Sequence, residues 1–316
     1  MSNNLIRKPK VSVGQENPYN RLGFVQNPFP VNPSVVPYSD DIRVNGSIFL
    51  ESIRQEEIKA FHEHIVNSPN QIGLMMDYAA YKGRGIGKTA FLNYMKKSIN
   101  KDLGDEISDG KSVIYAVYVA PSADNRNRTL SQVAHSIFTS MHKEGLFLTV
   151  FCRLRALSGL LDDVIDETIT ENNYEETIAN DAWLCDKGID VSAVNSFVSK
   201  ELVKAGLVDE DVSLFSGTYS RFTEALSINP SEFFWKREGL FFLFEKVEKL
   251  LKAAMFTNCI ILLDEAEKMI QYQNFNERRA FCENLRTYFI DGNNSNAIDG
   301  FFKILRECKL NCVKLQ

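Results

Sequence analysis

Apolar positions along the chain follow two rhythms. Ile72 to Tyr78 is an apolar run, Ser112 to Ala120 is β-branched and aromatic-rich, and Cys259 to Leu263 is apolar without a break. Runs this short suit strands, and an uninterrupted one suits a central parallel strand buried on both faces. Elsewhere the spacing turns helical. Ile53, Ile58, Phe61 and Ile65 fall near one face of 53–66, and 88–99 is amphipathic. Leu130, Val133, Ala134, Ile137 and Met141 line one face of 129–142. Helices are also predicted over 239–256 and over 274–289, where Phe281, Leu285, Tyr288 and Phe289 keep helical spacing. Gly46 to Phe49 and Phe301 to Leu305 are further strand candidates. Strand and helix in alternation predict an α/β fold, a mostly parallel sheet flanked by helices.

The alternation lapses in the middle of the chain. Residues 145–240 have helical patterning and few strand signals, and they carry 8 basic and 17 acidic residues, a net charge of −9 against −5 for the whole chain. A mostly helical acidic insertion is therefore expected over 143–240. It divides a core whose first part is 46–142 and whose second part is 241–316. Within it, 175–207 holds three short helical pieces broken at Lys187-Gly188 and Ala205-Gly206, the outline of a helix-turn-helix. The segment Val191 to Lys204 carries only two lysines, however. Phosphate contacts dominate nucleic-acid affinity, so DNA binding by this acidic segment is disfavoured. A protein contact, a lid, or a spacer with its own small core remain. Ahead of the core, residues 1–45 are rich in Pro and Asn, with Tyr19, Leu22, Phe24, Phe29 and Tyr38 interleaved. Proline at this density forbids helix, and the aromatics predict an extended arm packed across the following domain.

Chemistry concentrates at the ends of two predicted strands. After Ile72–Tyr78 comes Tyr81-Lys82-Gly83-Arg84-Gly85-Ile86-Gly87-Lys88-Thr89, and then a helix. Strand, glycine-rich loop, Lys-Thr and helix is the layout of a phosphate-binding P-loop, although Lys82 stands where the strict pattern has its first glycine. Gly83, Gly85, Ile86 and Gly87 would curl the backbone so that its N–H groups face an anion, with the helix N-terminus behind them. Lys88 would reach the β- and γ-phosphates, and the Thr89 hydroxyl would ligate Mg²⁺. The apolar run Cys259–Leu263 ends in Asp264-Glu265, at the strand end where open α/β sheets bind ligands. Asp264 is predicted beside the Mg²⁺ and Glu265 beside the attacking water. Arg279, Glu283 and Arg286 share one face of the 274–289 helix. They read as a solvated ion-pair stripe; the alternative is an arginine offered to a neighbouring subunit's nucleotide.

Bulk properties narrow the class. With 44% apolar and 24% charged residues the chain can bury a sizeable core. A net charge of −5 gives no global argument for nucleic-acid binding. The chain opens without the apolar core of a signal peptide and holds no apolar run of bilayer-spanning length, so a cytoplasmic location away from membranes is expected. The six cysteines form no Cys-x-x-Cys, which indicates neither a zinc site nor a disulfide framework. His62 and His64 are two apart on a helix and point to different sides.

Gly-Arg-Gly-Ile-Gly-Lys-Thr followed by Ile-Ile-Leu-Leu-Asp-Glu resembles the AAA+ and STAND-like branch of P-loop ATPases. Leu22-Gly23-Phe24 with Asn27-Pro28-Phe29-Pro30 is similar to the Asn-Pro-Phe segment that opens several bacterial members. The resemblance covers about 20–142 and 241–305. It implies a P-loop core, ATP and Mg²⁺ as ligands, and water activation by Glu265 rather than transfer to a metabolite. A protein partner or self-association is expected, and a nucleic-acid role rests on the family analogy alone. Such proteins usually place a polar sensor residue at the end of the next strand, for which Asn311 is the nearest candidate. They continue through a fifth strand and a helical lid bearing an arginine, whereas this sequence stops at Gln316. The expectation is a truncated core, or a lid supplied elsewhere by the acidic insertion. The activity expected is Mg²⁺-dependent ATP hydrolysis coupled to a macromolecular partner. The alternative is a non-hydrolysing switch or scaffold.

Overall fold

A computed structural model of the chain describes residues 39–45, 49–67, 72–77, 87–101, 113–120, 128–162, 173–229, 231, 233, 237–264, 273–289 and 301–309. Most of the expected N-terminal arm and of the strand candidate at Gly46–Phe49 therefore lies outside the described residues. Phe49 itself stacks on Tyr94, with ring centroids 4.3 Å apart.

Helix α1 (Gln55–Phe61) widens into a π-helical stretch at His62–Val66. Strand β1 (Ile72–Asp77), helix α2 (Lys88–Asn100), strand β2 (Val113–Val119) and helix α3 (Leu130–Lys143) follow. Thr129 and Gln132 start α3 with a reciprocal cap: each side chain accepts the other residue's backbone N–H. Helices follow among the described residues of 146–225: α4 (Leu146–Ala156), α5 (Tyr174–Ile178), α6 (Asp181–Asp186), α7 (Val191–Lys204), α8 (Asp209–Phe215) and α9 (Tyr219–Ala225). Helix α10 (Arg237–Phe241) passes through a second π-helical stretch at Phe242–Val247 into α11 (Glu248–Ala253), which leads to β3 (Phe256–Leu263). Helix α12 (Phe275–Phe289) and strand β4 (Phe302–Lys309) follow. The fold is mixed α/β, mostly helical, around a small parallel sheet.

The sheet order is β1-β4-β3-β2, with every pair parallel. Val117, Ile261, Ile304 and Ile72 form one row across it. Side chains alternate between the two faces, and helices cover both. Ala116, Tyr118, Ile260, Leu262 and Leu305 join Phe61, Ile65, Phe91, Leu92 and Met95 of α1 and α2. Tyr115, Val117, Cys259, Ile261 and Ile304 join α3, α4 and the insertion helices on the other face. Gly73 allows a close approach on the α1 side, since a Cβ there would stand 2.0 Å from Ile65 Cδ1.

The free edge of β2 is covered. The Asn100 carboxamide at the end of α2 accepts from Ala116 N–H and donates to Ala116 C=O, both at 2.8 Å. This occupies edge groups that could otherwise template another strand. Beside it, Glu144 accepts from Lys96 Nζ at 2.8 Å and from Tyr115 OH at 2.7 Å, which ties the two helical layers together over the edge. In β4, Lys303 is buried and donates to Ile65 O and Val66 O, at 3.1 and 2.9 Å, where the π-helical stretch of α1 ends. A cation there suits the negative end of a helix.

Two arginines of α4, both under 2% exposed, tie the helices of this region together and to the sheet. Arg153 Nε donates to Ala254 O, in the turn before β3, and its guanidinium lies over Phe256. Arg155 donates to Ile178 O at 3.1 Å and to Asp181 Oδ1 at 2.5 Å, with its guanidinium 4.3 Å from the Phe151 ring centre. Breaking a fully buried ion pair from one side costs about 3–5 kcal/mol. Asp181 is 31% exposed, so water offsets part of that. Asp181→Ala is therefore expected to destabilise the chain by about 2 kcal/mol, read as a lower midpoint of urea unfolding.

His135 on α3 packs against Phe233 with ring centroids 5.6 Å apart, and burial holds it below its ordinary value of 6.5. The unfolded chain then takes this proton more readily than the folded one, so stability rises with pH up to the ordinary value and is lost as pH falls below it. The melting temperature is expected to fall on acidification from pH 6.5, and His135→Gln to flatten that dependence.

Candidate functional site

The site forms at the C-terminal edge of the sheet, on the face that α2 covers. Asp264 follows the last residue of β3, and its N–H donates to Val119 O at 2.9 Å, extending the β2–β3 pairing by one step. It has the same parity as Ile260 and Leu262, so its side chain turns towards α2. The carboxylate is 2% exposed. Its Oδ2 accepts two hydroxyls, Thr89 Oγ1 at 2.8 Å and Tyr118 OH at 2.7 Å. Thr89 is the second residue of α2 and Tyr118 the penultimate residue of β2.

Helix α2 presents its N-terminus here. Gly87 precedes it with φ +83°, a left-handed conformation that favours glycine, and adds no side-chain cap. Phe91 N–H donates back along the helix to Gly87 O at 2.9 Å. The N-terminal end of a helix carries the positive end of its dipole. Asn93, buried one turn on, donates to Thr89 O at 2.9 Å and holds the turn that carries the threonine.

The fold thus brings Gly87, Lys88 and Thr89 at the start of α2 to the same sheet edge as Asp264. Gly83, Gly85, Ile86 and Glu265 lie outside the described residues, as does Asn311. Neither Tyr118 nor Asn93 belongs to either motif. Tyr118 becomes visible once β2 pairs with β3, where it lies opposite Leu262, one row before Asp264 on the same face. The arginine stripe takes the simpler of its two readings at one position. Arg279 Nε donates to Glu283 Oε1 at 2.7 Å, with the two side chains 72% and 62% exposed.

Gln273, buried ahead of α12, donates to Arg128 O at 2.5 Å, and Arg128 faces Glu277 at 3.9 Å. These contacts join the segments that follow β2 and β3. Among the described residues there is no group of three or more His, Cys, Asp or Glu able to hold a metal ion, and no helix is long and apolar enough to cross a membrane.

The donor set at Asp264 is a carboxylate and a hydroxyl, both hard oxygens. Mg²⁺ is commonly held by one or two carboxylates and hydroxyls together with substrate phosphates and water, so these residues fit it. Comparisons of the chain with protein-family models, with curated proteins and with solved structures give no match.

Proposed function

We propose that the chain binds ATP with Mg²⁺ at the edge formed by α2 and β3, hydrolyses it, and uses the nucleotide state to control a macromolecular partner in the cytoplasm. In this reading the core is that of a P-loop ATPase of the AAA+ and STAND-like branch. The observation that carries it is the Thr89–Asp264 bond, 2.8 Å long between residues 175 apart in the chain. The two residues that the motifs nominated independently for the cation are in direct contact. Further support comes from the sheet order. With β4 between them, β1 and β3 are two strand spacings apart, about 10 Å. Strand β1 and the helix whose first turn lies against β3 are neighbours in sequence order, and the glycine-rich stretch of the motif stands between them in the sequence.

Thr89 and Asp264 would hold Mg²⁺, which when bound supplies charge neutralisation to the phosphates. The amides at the start of α2 offer donors to an anion, and Lys88 adds a charge-assisted one. Glu265, next after Asp264, is assigned to orienting water. Burial of Asp264 excludes bulk solvent from that side and strengthens its interactions.

The test is phosphate release from ATP by the purified chain, in Mg²⁺ and in EDTA. Turnover that requires Mg²⁺ is the expected result. Absence of turnover with ATP binding intact would replace hydrolysis with a nucleotide-dependent switch.

A further inference from the structure

We propose that Tyr118 is a positioning residue of this site, holding the Asp264 carboxylate in the orientation from which it serves a divalent cation. The inference rests on the nucleotide-binding reading above and adds a residue that neither motif contains.

Two hydroxyls meet on one carboxylate oxygen, Thr89 Oγ1 at 2.8 Å and Tyr118 OH at 2.7 Å. They arrive from different layers of the fold, one from the first turn of α2 and one from the neighbouring strand of the sheet. The terminal torsion of an aspartate is broad, so a single donor leaves the carboxylate room to turn. A second donor from another direction removes that room. Tyr118 itself has little freedom: it is 4% exposed and packs within the core formed by α1, α2 and the sheet.

The simpler account is that Asp264 only satisfies a buried phenol, since buried tyrosine hydroxyls usually find a partner. Strand β2 supplies the comparison that separates the two. Tyr115 lies on its opposite face, buried at 3%, and its hydroxyl donates to Glu144 at 2.7 Å, away from Asp264. The two tyrosines share a strand, a degree of burial and a carboxylate acceptor, and only Tyr118 touches the proposed cation ligand. Groups that hydrogen-bond a ligating carboxylate orient it, and losing one typically costs about 10- to 100-fold in metal affinity. Removing the Tyr118 hydroxyl leaves Lys88, Thr89, Asp264 and the amides of α2 in place, so the defect should be confined to the cation.

The experiment measures ATP affinity by calorimetry in Mg²⁺ and in EDTA for the wild-type chain, Tyr118→Phe and Tyr115→Phe. The ratio of the two affinities reports the cation's contribution. In Tyr118→Phe that ratio is expected to fall about tenfold, with the affinity in EDTA unchanged. Tyr115→Phe is expected to keep the wild-type ratio. An unchanged ratio in Tyr118→Phe overturns the inference and leaves the nucleotide site standing. So does an equal loss in both variants, or a parallel fall in the EDTA affinity, because either would mark a general loosening of β2. A wild-type chain that binds no ATP, or binds it equally with and without Mg²⁺, removes the reading of the site on which the inference rests.

Discussion

Lys88→Ala is expected to abolish measurable ATP binding while leaving the fold intact. Lys88 is the first residue of α2, and it sits at the end of the helix where an anion is already favoured. Its ammonium is a strong donor to phosphate oxygens within reach. Truncating one partner of a hydrogen-bonded charge pair costs about 2–5 kcal/mol, roughly 30- to several-thousand-fold in affinity. A micromolar site would then move towards the millimolar range, beyond ordinary calorimetry. Alanine is a good helix former, so the first turn should persist, and the melting temperature without nucleotide should match wild type. Unchanged ATP affinity in Lys88→Ala would take the phosphates away from this helix end.

The second large effect is on rate. Glu265→Gln is expected to bind ATP as the wild type does and to release phosphate about 10²- to 10⁴-fold more slowly, the range for losing a positioned general base. The substitution keeps the size of the side chain and its place directly after Asp264, and it removes the carboxylate. Equal turnover in the variant would assign the water to another group. Reduced binding alongside reduced turnover would mean that Glu265 supports the nucleotide rather than the water.

Much of the fold was legible in local pattern. Apolar runs marked β1, β2 and β3, and the 3.6-residue spacing of Leu130, Val133, Ala134, Ile137 and Met141 marked α3, whose buried face includes all five. The breaks expected at Lys187-Gly188 and Ala205-Gly206 fall where α6 and α7 end. The order of strands was not legible. Whether β4 lies outside β1 or between β1 and β3 depends on pairings between segments 43 residues apart (Cys259 with Phe302) and 232 residues apart (Ile72 with Ile304), which no local window contains.

Buried charges were equally hidden. Lys303 interrupts an apolar run and would suit a solvent-facing position, yet it is buried because the carbonyls of Ile65 and Val66 lie opposite. Arg153 and Arg155 are buried because Ala254, Ile178 and Asp181 supply acceptors. Burial of such groups depends on partners brought by tertiary structure. The site was legible in the same uneven way. Lys88, Thr89 and Asp264 stood out by type and spacing, whereas Tyr118 became visible once β2 was placed beside β3.

On the proposed function, Thr89 and Asp264 meet because they share an ATP–Mg²⁺ site. The most direct measurement is a calorimetric titration of ATP into the unaltered chain, with Mg²⁺ and with EDTA. The expected result is saturable binding to one site per chain in the micromolar range, tighter with Mg²⁺ than without. No binding of ATP up to millimolar concentration in either condition would contradict it, and the Thr89–Asp264 contact would then be a packing feature of the sheet edge.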